Sequence, residues 1–242
     1  MLGIHPPTTL QALDADMIPI QGGTFWMGSD QDSSWGESPK HQVKVSDFEL
    51  GRYPVTQGLW QEIMGTQPAY FSHPHLPMEQ VSWNDCQDFI KKLKKRSGKS
   101  YRLPFEAEWE YAARGGNLHL KHAQWQMLDY AGSLDMDEVG WYEDNSFFGT
   151  HSGMEKLPNP LGLVGMSGNL WEWCQDWHSS FYYQACINRK IVENPKGPEM
   201  GSSHVVRGGS WYDSDRSTRV ALRGSGRPNG CDHGIGLRLA RK

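Results

Sequence analysis

The sequence has no hydrophobic run that approaches the roughly 18 residues needed to cross a bilayer, so we expect no transmembrane segment. It also has no excess of positive charge, because the formal net charge is −4. Proteins that bind nucleic acid usually carry a basic surface, and we therefore expect no nucleic-acid partner. Residues 1–16 contain neither a basic nor an apolar stretch, so no signal peptide is recognisable, and we expect a flexible N-terminal segment there.

Cysteine is scarce. The chain has four, Cys86, Cys174, Cys186 and Cys231, and none of them forms a Cys-x-x-Cys motif. The even number permits two disulfides, and Cys86 falls on the apolar face of a predicted helix, where a buried thiol is expected. Cys231 and His233 could together hold a metal, but a single pair is weak evidence for a metal site. The cysteines therefore indicate no particular chemistry.

Five residue types, Lys, Glu, Gln, Met and Trp, are missing between Tyr212 and Gly234. Strand-like stretches lie on both sides, one ending at Trp211 and one in which Ile235, Leu237 and Leu239 alternate with other residues. A restricted set of residue types indicates a surface whose side chains follow a special rule. An ordinary long loop rich in Ser, Gly, Asp and Arg would also fit, and the residues alone leave both interpretations open.

The composition favours one loop-rich domain in which large aromatic side chains supply much of the burial. The chain has 11 Trp, 9 Tyr and 27 Gly, and no repeat or linker divides it. The patterns predict a strand over 18–27 that turns at Gly22-Gly23, a second strand over 42–50, and helices that begin at Thr56, Ser82 and Pro104. Lysines near the end of the second helix fit a solvated face better than a nucleic-acid patch, since cations complement a helix C-terminus.

The third predicted helix carries Glu106, Glu108 and Glu110 in its first turns. Carboxylates at this spacing are candidates for general acid–base chemistry. Acidic residues are also favourable at a helix start for electrostatic reasons, and we expect a structural role for these three.

Four segments together resemble the formylglycine-generating-enzyme (sulfatase-modifying factor) family. They are Ile18–Gly28, Tyr101–Gly115, Gly162–Trp173, and Arg207-Gly-Gly-Ser-Trp211 with Gly236–Ala240. The resemblance implies an α+β fold of the C-type lectin-like kind, loop-rich, with two main helices and small twisted antiparallel sheets. Residues 1–242 are expected to form this single domain.

Enzymes of that family oxidise a sulfatase cysteine to formylglycine with two active-site cysteines that bind copper. The resemblance places Asp213 and Thr218 at the matching positions. Neither side chain can supply a thiolate, the soft ligand that Cu(I) prefers. We therefore expect no copper, no required cofactor and no sulfatase-activating chemistry.

Residues 204–240 more particularly resemble the variable region of proteins diversified by retroelements, in which asparagine codons are rewritten to a set that excludes the five missing residue types. Arg207, Arg219, Arg223 and Arg238 match the invariant framework, and Arg207, Arg219 and Arg238 are expected to pair with backbone or carboxylates. The predicted ligand-binding, variable residues are Tyr212, Asp213, Asp215, Ser217, Thr218, Leu222, Gly224, Ser225, Gly226, Cys231, Asp232 and His233.

This resemblance implies a non-enzymatic binding protein at the cell surface or outside the cell. Its partners would be proteins or cell-surface ligands that differ between variants. The alternatives are an enzyme of the same fold with altered oxidoreductase chemistry, based on Asp213, Asp215, Cys231 and His233, and an intracellular interaction module.

A structural calcium ion is the remaining expectation. In the family, the motif that matches Gly168, Leu170 and Glu172 helps to hold calcium through backbone carbonyls and the glutamate. Glu172 between two tryptophans would be costly to bury unpaired. An arginine such as Arg207 or Arg238 would satisfy it equally well, so both interpretations stay open.

Overall fold

Three small sheets are joined by loops and short helices in the computed structural model, which describes residues 6–31, 36–121 and 128–242. Strands and helices are numbered in chain order. The first sheet contains β1 (Met17–Ile20), β4 (Phe48–Gly51) and β10 (Ala240–Arg241), in that order. The second contains β2 (Gly23–Met27), β3 (His41–Val45) and β6 (Val192–Glu193). The third has the order β8 (Arg223–Gly226), β7 (His204–Arg207), β5 (Trp171–Trp177) and β9 (Ile235–Gly236).

The helices are α1 (Leu10–Leu13), α2 (Gln57–Met64), α3 (Trp83–Ser97), α4 (Glu106–Ala113), α5 (Met136–Val139) and α6 (Tyr182–Cys186). The predicted caps are confirmed: the Thr56 hydroxyl accepts the N–H of Leu59, and Ser82 and Asp85 complete a capping box. Two main helices are expected; in the structure α3 is the longest, with 15 residues, and α2 and α4 have eight each. The predicted α+β class is confirmed.

The third sheet lies between two hydrophobic cores. Successive side chains of a strand point to opposite faces, so Cys174 joins the core that α4 forms with β2, β3 and β4, and Trp173 joins the core of α2 and α3. Trp60 stacks on Phe89 in the second core, with ring centroids 4.9 Å apart. Both cores therefore hold the sheet that carries the C-terminal loops.

Two expectations differ from the structure. The stretch 18–27 turns between β1 and β2 as predicted, but 42–50, predicted as one strand, is also broken by a turn, into β3 and β4; the two strands of each stretch lie in different sheets. The sheets are not purely antiparallel, because β3–β6 and β5–β9 run parallel. Residues 6–16, where a flexible segment is expected, contain α1 and a 3₁₀ turn, Asp14–Asp16, and Leu13 is buried; their flexibility stays a prediction. Residues 1–5 lie outside the described part.

Buried arginines tie the C-terminal segment to α4. Arg223 forms a bidentate pair with Glu106, with Nε–Oε1 and Nη2–Oε2 distances of 2.6 and 2.9 Å. Arg207 donates to Glu110 at 2.6 Å and to the carbonyl of Val220 at 2.7 Å. Burial alone would raise the pKa of Glu106, but the guanidiniums of Arg223 and Arg207 outweigh it and lower that pKa. The glutamates of α4 are therefore structural, as predicted.

A second buried pair joins β5 to the end of the chain. Arg238 donates to both carboxylate oxygens of Glu172, and the Trp109 indole donates to one of them at 2.7 Å. The remaining Arg238 donors reach the carbonyls of Gly51 and Val164 at 2.9 and 2.8 Å. Because Glu172 and Arg238 are both fully buried, each neutralises a charge that would otherwise be uncompensated. The predicted framework role of the arginines is confirmed.

Among the described residues, no helix is both long and apolar enough to cross a membrane.

Removing one partner of the buried pair tests this framework. Glu172→Ala leaves Arg238 charged and unpaired, and we expect a loss of ~3–5 kcal/mol in the free energy of unfolding, measured by urea denaturation. The matched control is Glu193→Ala, which breaks the exposed Lys44–Glu193 pair and should cost no more than about 1 kcal/mol. Equal losses in the two variants would contradict the framework role.

Candidate functional site

Two loops, one between β7 and β8 and one between β8 and β9, form one surface. Gly208 and Gly209 leave β7 with φ of 102° and 77°, a region that favours glycine. A Cβ on Gly209 would lie 2.7 Å from the Thr218 side chain, so only glycine fits at this turn. The Arg-Gly-Gly-Ser-Trp motif thus directs the first loop away from the sheet, and the second loop returns between β8 and β9.

Five aromatic rings meet where these loops approach the chain segment after α2. Trp211, Tyr212 and His233 lie with their ring centroids 5.0–5.4 Å from one another. Tyr70 lies 5.9 Å from His233, and Phe71 lies 5.7 Å from Trp211. We call these five side chains the ring cluster. Tyr70 is 73% exposed and Tyr212 is 38% exposed, so the cluster presents rings to solvent.

Asp232 fixes the position of Tyr212. One carboxylate oxygen of Asp232, Oδ1, accepts the Tyr212 hydroxyl at 2.5 Å and the N–H of Gly234 at 2.7 Å. Burial and this carboxylate both raise the pKa of Tyr212, so the phenol stays protonated and donates. Two predicted ligand-binding residues from opposite ends of the variable segment are therefore in contact.

The twelve predicted ligand-binding residues are not equally accessible. Exposed side chains belong to Tyr212, Asp215, Ser225 and Cys231, half-buried positions are Asp213, Ser217, Gly224, Gly226, Asp232 and His233, and buried ones are Thr218 and Leu222. The structure brings Tyr212, Asp232 and His233 together at the ring cluster. Asp215 and Ser217 lie apart from them, on and beside the 3₁₀ turn Asp215–Thr218.

Three of these side chains are buried or hydrogen-bonded within the fold and do not fit the prediction. Thr218 is fully buried and donates to the carbonyl of Asp215, and Leu222 is 2% exposed in the interior. Asp213 accepts from the Trp171 indole at 2.8 Å and from the Ser210 N–H at 2.9 Å, which uses its carboxylate inside the fold. These three side chains stabilise the loop and do not face a ligand.

Gly224 and Gly226 are also framework positions. A Cβ on Gly226 would lie 2.3 Å from the Trp173 ring, and one on Gly224 would lie 2.9 Å from Trp171. Such contacts are far closer than real Cβ atoms make, so other residues fit poorly at either position. The sequence pattern could not show this, because it carries no information on which strand face meets a tryptophan.

The cysteines form no disulfide, and only Cys231 is exposed. Burial raises the pKa values of Cys86 and Cys174 well above the ordinary value, so these thiols are unreactive. The described residues contain no group of three or more His, Cys, Asp or Glu side chains arranged to hold a metal.

The residues predicted for calcium have other partners. Both carboxylate oxygens of Glu172 are occupied by Arg238 and Trp109, so an added cation at Glu172 would meet a guanidinium. The N–H of Gly168 donates to the carbonyl of Gly208, and Leu170 is buried. Of the two partners expected for Glu172, the structure shows the arginine, and a calcium ion at the carbonyls of Gly168 and Leu170 stays a prediction.

The sequence reasoning missed Glu79. This fully buried carboxylate accepts the N–H of Phe71 through Oε1 at 2.9 Å, while Oε2 has no hydrogen-bond partner with ordinary geometry in the described part of the chain. Burial and the nearby Asp232 raise the pKa of Glu79 to about 7, against hydrogen bonds from Phe71 and Tyr70 that lower it. A buried acid therefore lies against the backbone of the ring cluster. No motif in the sequence pointed to it.

Phe147 and Phe148 extend the aromatic surface. They are 84% and 89% exposed, and both have positive φ, 51° and 64°, which is uncommon for bulky residues. The following residue, Gly149, abuts Phe71, since a Cβ on Gly149 would lie 3.3 Å from that ring. A strained loop that displays two phenylalanines next to the ring cluster is typical of a functional surface.

The chain belongs to the sulfatase-modifying factor enzyme 1-like domain family, whose family model matches residues 5–242. It is 29% identical to the chaperone protein LppX of Paenibacillus barcinonensis, over 93% of this chain and 89% of that protein. It is 34% identical to the formylglycine-generating enzyme of Streptomyces coelicolor, over 75% of this chain.

Some relatives are much longer. The chain spans 57% of the Streptomyces enzyme, and 38% of the serine/threonine-protein kinase pkn1 of Chlamydia pneumoniae, to which it is 29% identical.

Among solved structures, variable protein 1 of Treponema denticola is similar, with a TM-score of 0.82 and 27% identity over 93% of this chain and 94% of that one. The predicted family, its fold and the resemblance to a variable protein are therefore confirmed.

The titration of Glu79 gives a testable pH dependence. Its pKa rises from 4.5 in the unfolded chain to about 7 in the fold, so the native state holds this proton more tightly and stability falls as pH rises between those values. We expect the free energy of unfolding of Glu79→Gln, taken relative to that of the wild type, to rise by ~1–3 kcal/mol from pH 5 to pH 8, since one pKa unit is about 1.4 kcal/mol. Urea denaturation at both pH values measures this, and Asp16, whose pKa is also raised, is common to both proteins and cancels. A pH-independent difference would contradict the assignment.

Substitutions within the variable segment separate framework from surface. Leu222→Ala should lower the free energy of unfolding by ~2–5 kcal/mol, because it leaves a cavity in the interior. His233→Ala and Ser225→Ala, which lie in the same segment but reach solvent, should change it by about 1 kcal/mol or less. Thermal and urea unfolding of the three variants provide the comparison, and a large loss in His233→Ala would show that the ring cluster is part of the core.

Proposed function

We propose that this protein is a non-enzymatic, diversified binding protein whose ligand contacts the ring cluster and the exposed positions of the variable segment. The observation that carries the proposal is the division within residues 204–240. The framework arginines are buried in ion pairs, while Tyr212, Asp232 and His233 form one accessible surface. A rigid scaffold of this kind tolerates changed side chains on its loops, since they contribute little to the core.

The chemistry of the exposed side chains supports binding. Tyrosine and tryptophan rings supply large contact areas with little loss of conformational freedom, and paratopes of antibodies use them in the same way beside small polar residues. Here the same segment, 204–240, carries the aromatic Trp211 and Tyr212 and the polar Ser225 and Asp232. Phe147 and Phe148 enlarge the apolar area. Partners would be proteins or other molecules displayed on cell surfaces, and this protein would work at the cell surface or outside the cell.

The similarity to Treponema denticola variable protein 1 supports this proposal, because it extends over nearly the whole of both chains. The similarity to formylglycine-generating enzymes keeps an enzyme as the second candidate. No hydrogen bond or ion pair joins its candidate residues Asp213, Asp215, Cys231 and His233 to one another, and all four are described. Asp213 is also engaged by Trp171 and Ser210.

Sequencing the 3′ end of the gene across many cells of the source population tests the proposal. We expect changes confined to the codons for residues 212–234, most frequent at the exposed Tyr212, Ser225 and Cys231 and the half-buried Asp232 and His233. The codons of Arg207, Arg219, Arg223 and Arg238 are the internal control and should stay constant, because their side chains hold the fold. A uniform sequence over 212–234 would reject diversification and favour the enzyme.

A further inference from the structure

The ring cluster has a geometry that selects among ligands. The contacting ring pairs of Tyr70, Phe71, Trp211, Tyr212 and His233 have interplanar angles between 45° and 87°. No contacting pair within the cluster is parallel, so these pairs offer no flat slot for a planar group such as a guanidinium or a nucleobase. A rounded group can instead contact ring faces and edges that point in several directions.

Two carboxylates contact the cluster. Asp232 is half-exposed, with Oδ1 hydrogen-bonded to Tyr212 and Gly234 and Oδ2 3.9 Å from His233 Nδ1. Glu79 is buried against the backbone of Phe71, and its Oε2 has no hydrogen-bond partner of ordinary geometry among the described residues. Among the described residues, no lysine or arginine makes an ion pair or a cation–π contact with the ring cluster, Asp232 or Glu79.

Aromatic faces next to carboxylates that lack a cationic partner attract cations, because the negative face of each ring and the carboxylates both attract positive charge. A methylated ammonium is the rounded cation that gains most from such a site, since it is weakly hydrated and its methyl groups pack on rings. We propose that the exposed face of the ring cluster in this variant binds an alkylated ammonium group, with Asp232 as its counter-charge. This inference rests on the proposed function and names the ligand class for that surface.

The matched probes are choline and its uncharged carbon isostere, 3,3-dimethylbutan-1-ol. Titration of the full chain at pH 8, above the pKa of about 7 of Glu79, is followed by the NMR signal of the Trp211 indole N–H, which donates to the carbonyl of His233. We expect choline to bind at least about tenfold more tightly than the isostere, and high salt to weaken only choline. Equal binding of the two probes, or no shift with either, overturns the proposal.

Variants assign the effect to residues. Asp232→Asn keeps the shape of the side chain and should weaken choline binding ~five- to tenfold, whereas Asp47→Asn, which changes an exposed carboxylate in the turn between β3 and β4, should not change it. Tyr212→Phe keeps the ring and should retain binding, while Tyr212→Ala should lose it. Thermal unfolding checks that each variant is folded. Equal effects of Asp232→Asn and Asp47→Asn would show a nonspecific charge effect and overturn the site.

A trimethyl-lysine derivative, N-acetylated and with its carboxyl group amidated, distinguishes the source of the ammonium. Tighter binding of this probe than of choline identifies a modified protein, and the reverse identifies a choline-bearing ligand. If the gene is diverse but the protein does not prefer choline over its isostere, only this ligand class is rejected. A preference for choline in a protein whose gene is uniform would reject only diversification.

Discussion

Three buried arginines, each paired with a buried carboxylate, are the constraint on which the rest of the structure depends. Arg207 and Arg223 bind the glutamates of α4, and Arg238 binds Glu172 of β5. A protein with so little regular structure has few backbone ladders to fix its loops. Charged side chains that span distant segments do this instead, since their hydrogen bonds are directional and an unpaired partner in the interior would be very costly.

This framework separates stability from recognition. The loop side chains that hold the fold, Asp213, Thr218 and Leu222, point inward, while Tyr212, Asp232 and His233 point outward from the same segment. Changes at the outward positions alter the surface and leave the ion pairs intact. The ring cluster also draws on Tyr70 and Phe71, which lie outside the variable segment. A binding surface of this kind combines a constant aromatic part with a part that can change.

Burial decides the chemistry of the acidic groups. Glu106, Glu110 and Glu172 have arginine partners and serve the fold, whereas Glu79 has none and shifts its pKa towards neutrality. The same physical cost of an uncompensated buried charge therefore gives two results. One is a stable framework, and the other is an acid that responds to pH beside the candidate binding surface.

The sequence by itself determined the α+β class, the family, the caps of α2 and α3, and the framework role of the arginines, because motifs and local periodicity carry that information. Only the tertiary structure decided that Thr218, Leu222, Gly224 and Gly226 belong to the framework, that Glu172 pairs with Arg238, and that Tyr70, Phe71 and Glu79 join the site. Local patterns predict which residues form a loop. Which of its side chains face inward depends on contacts with residues far away in the chain, which no local pattern contains.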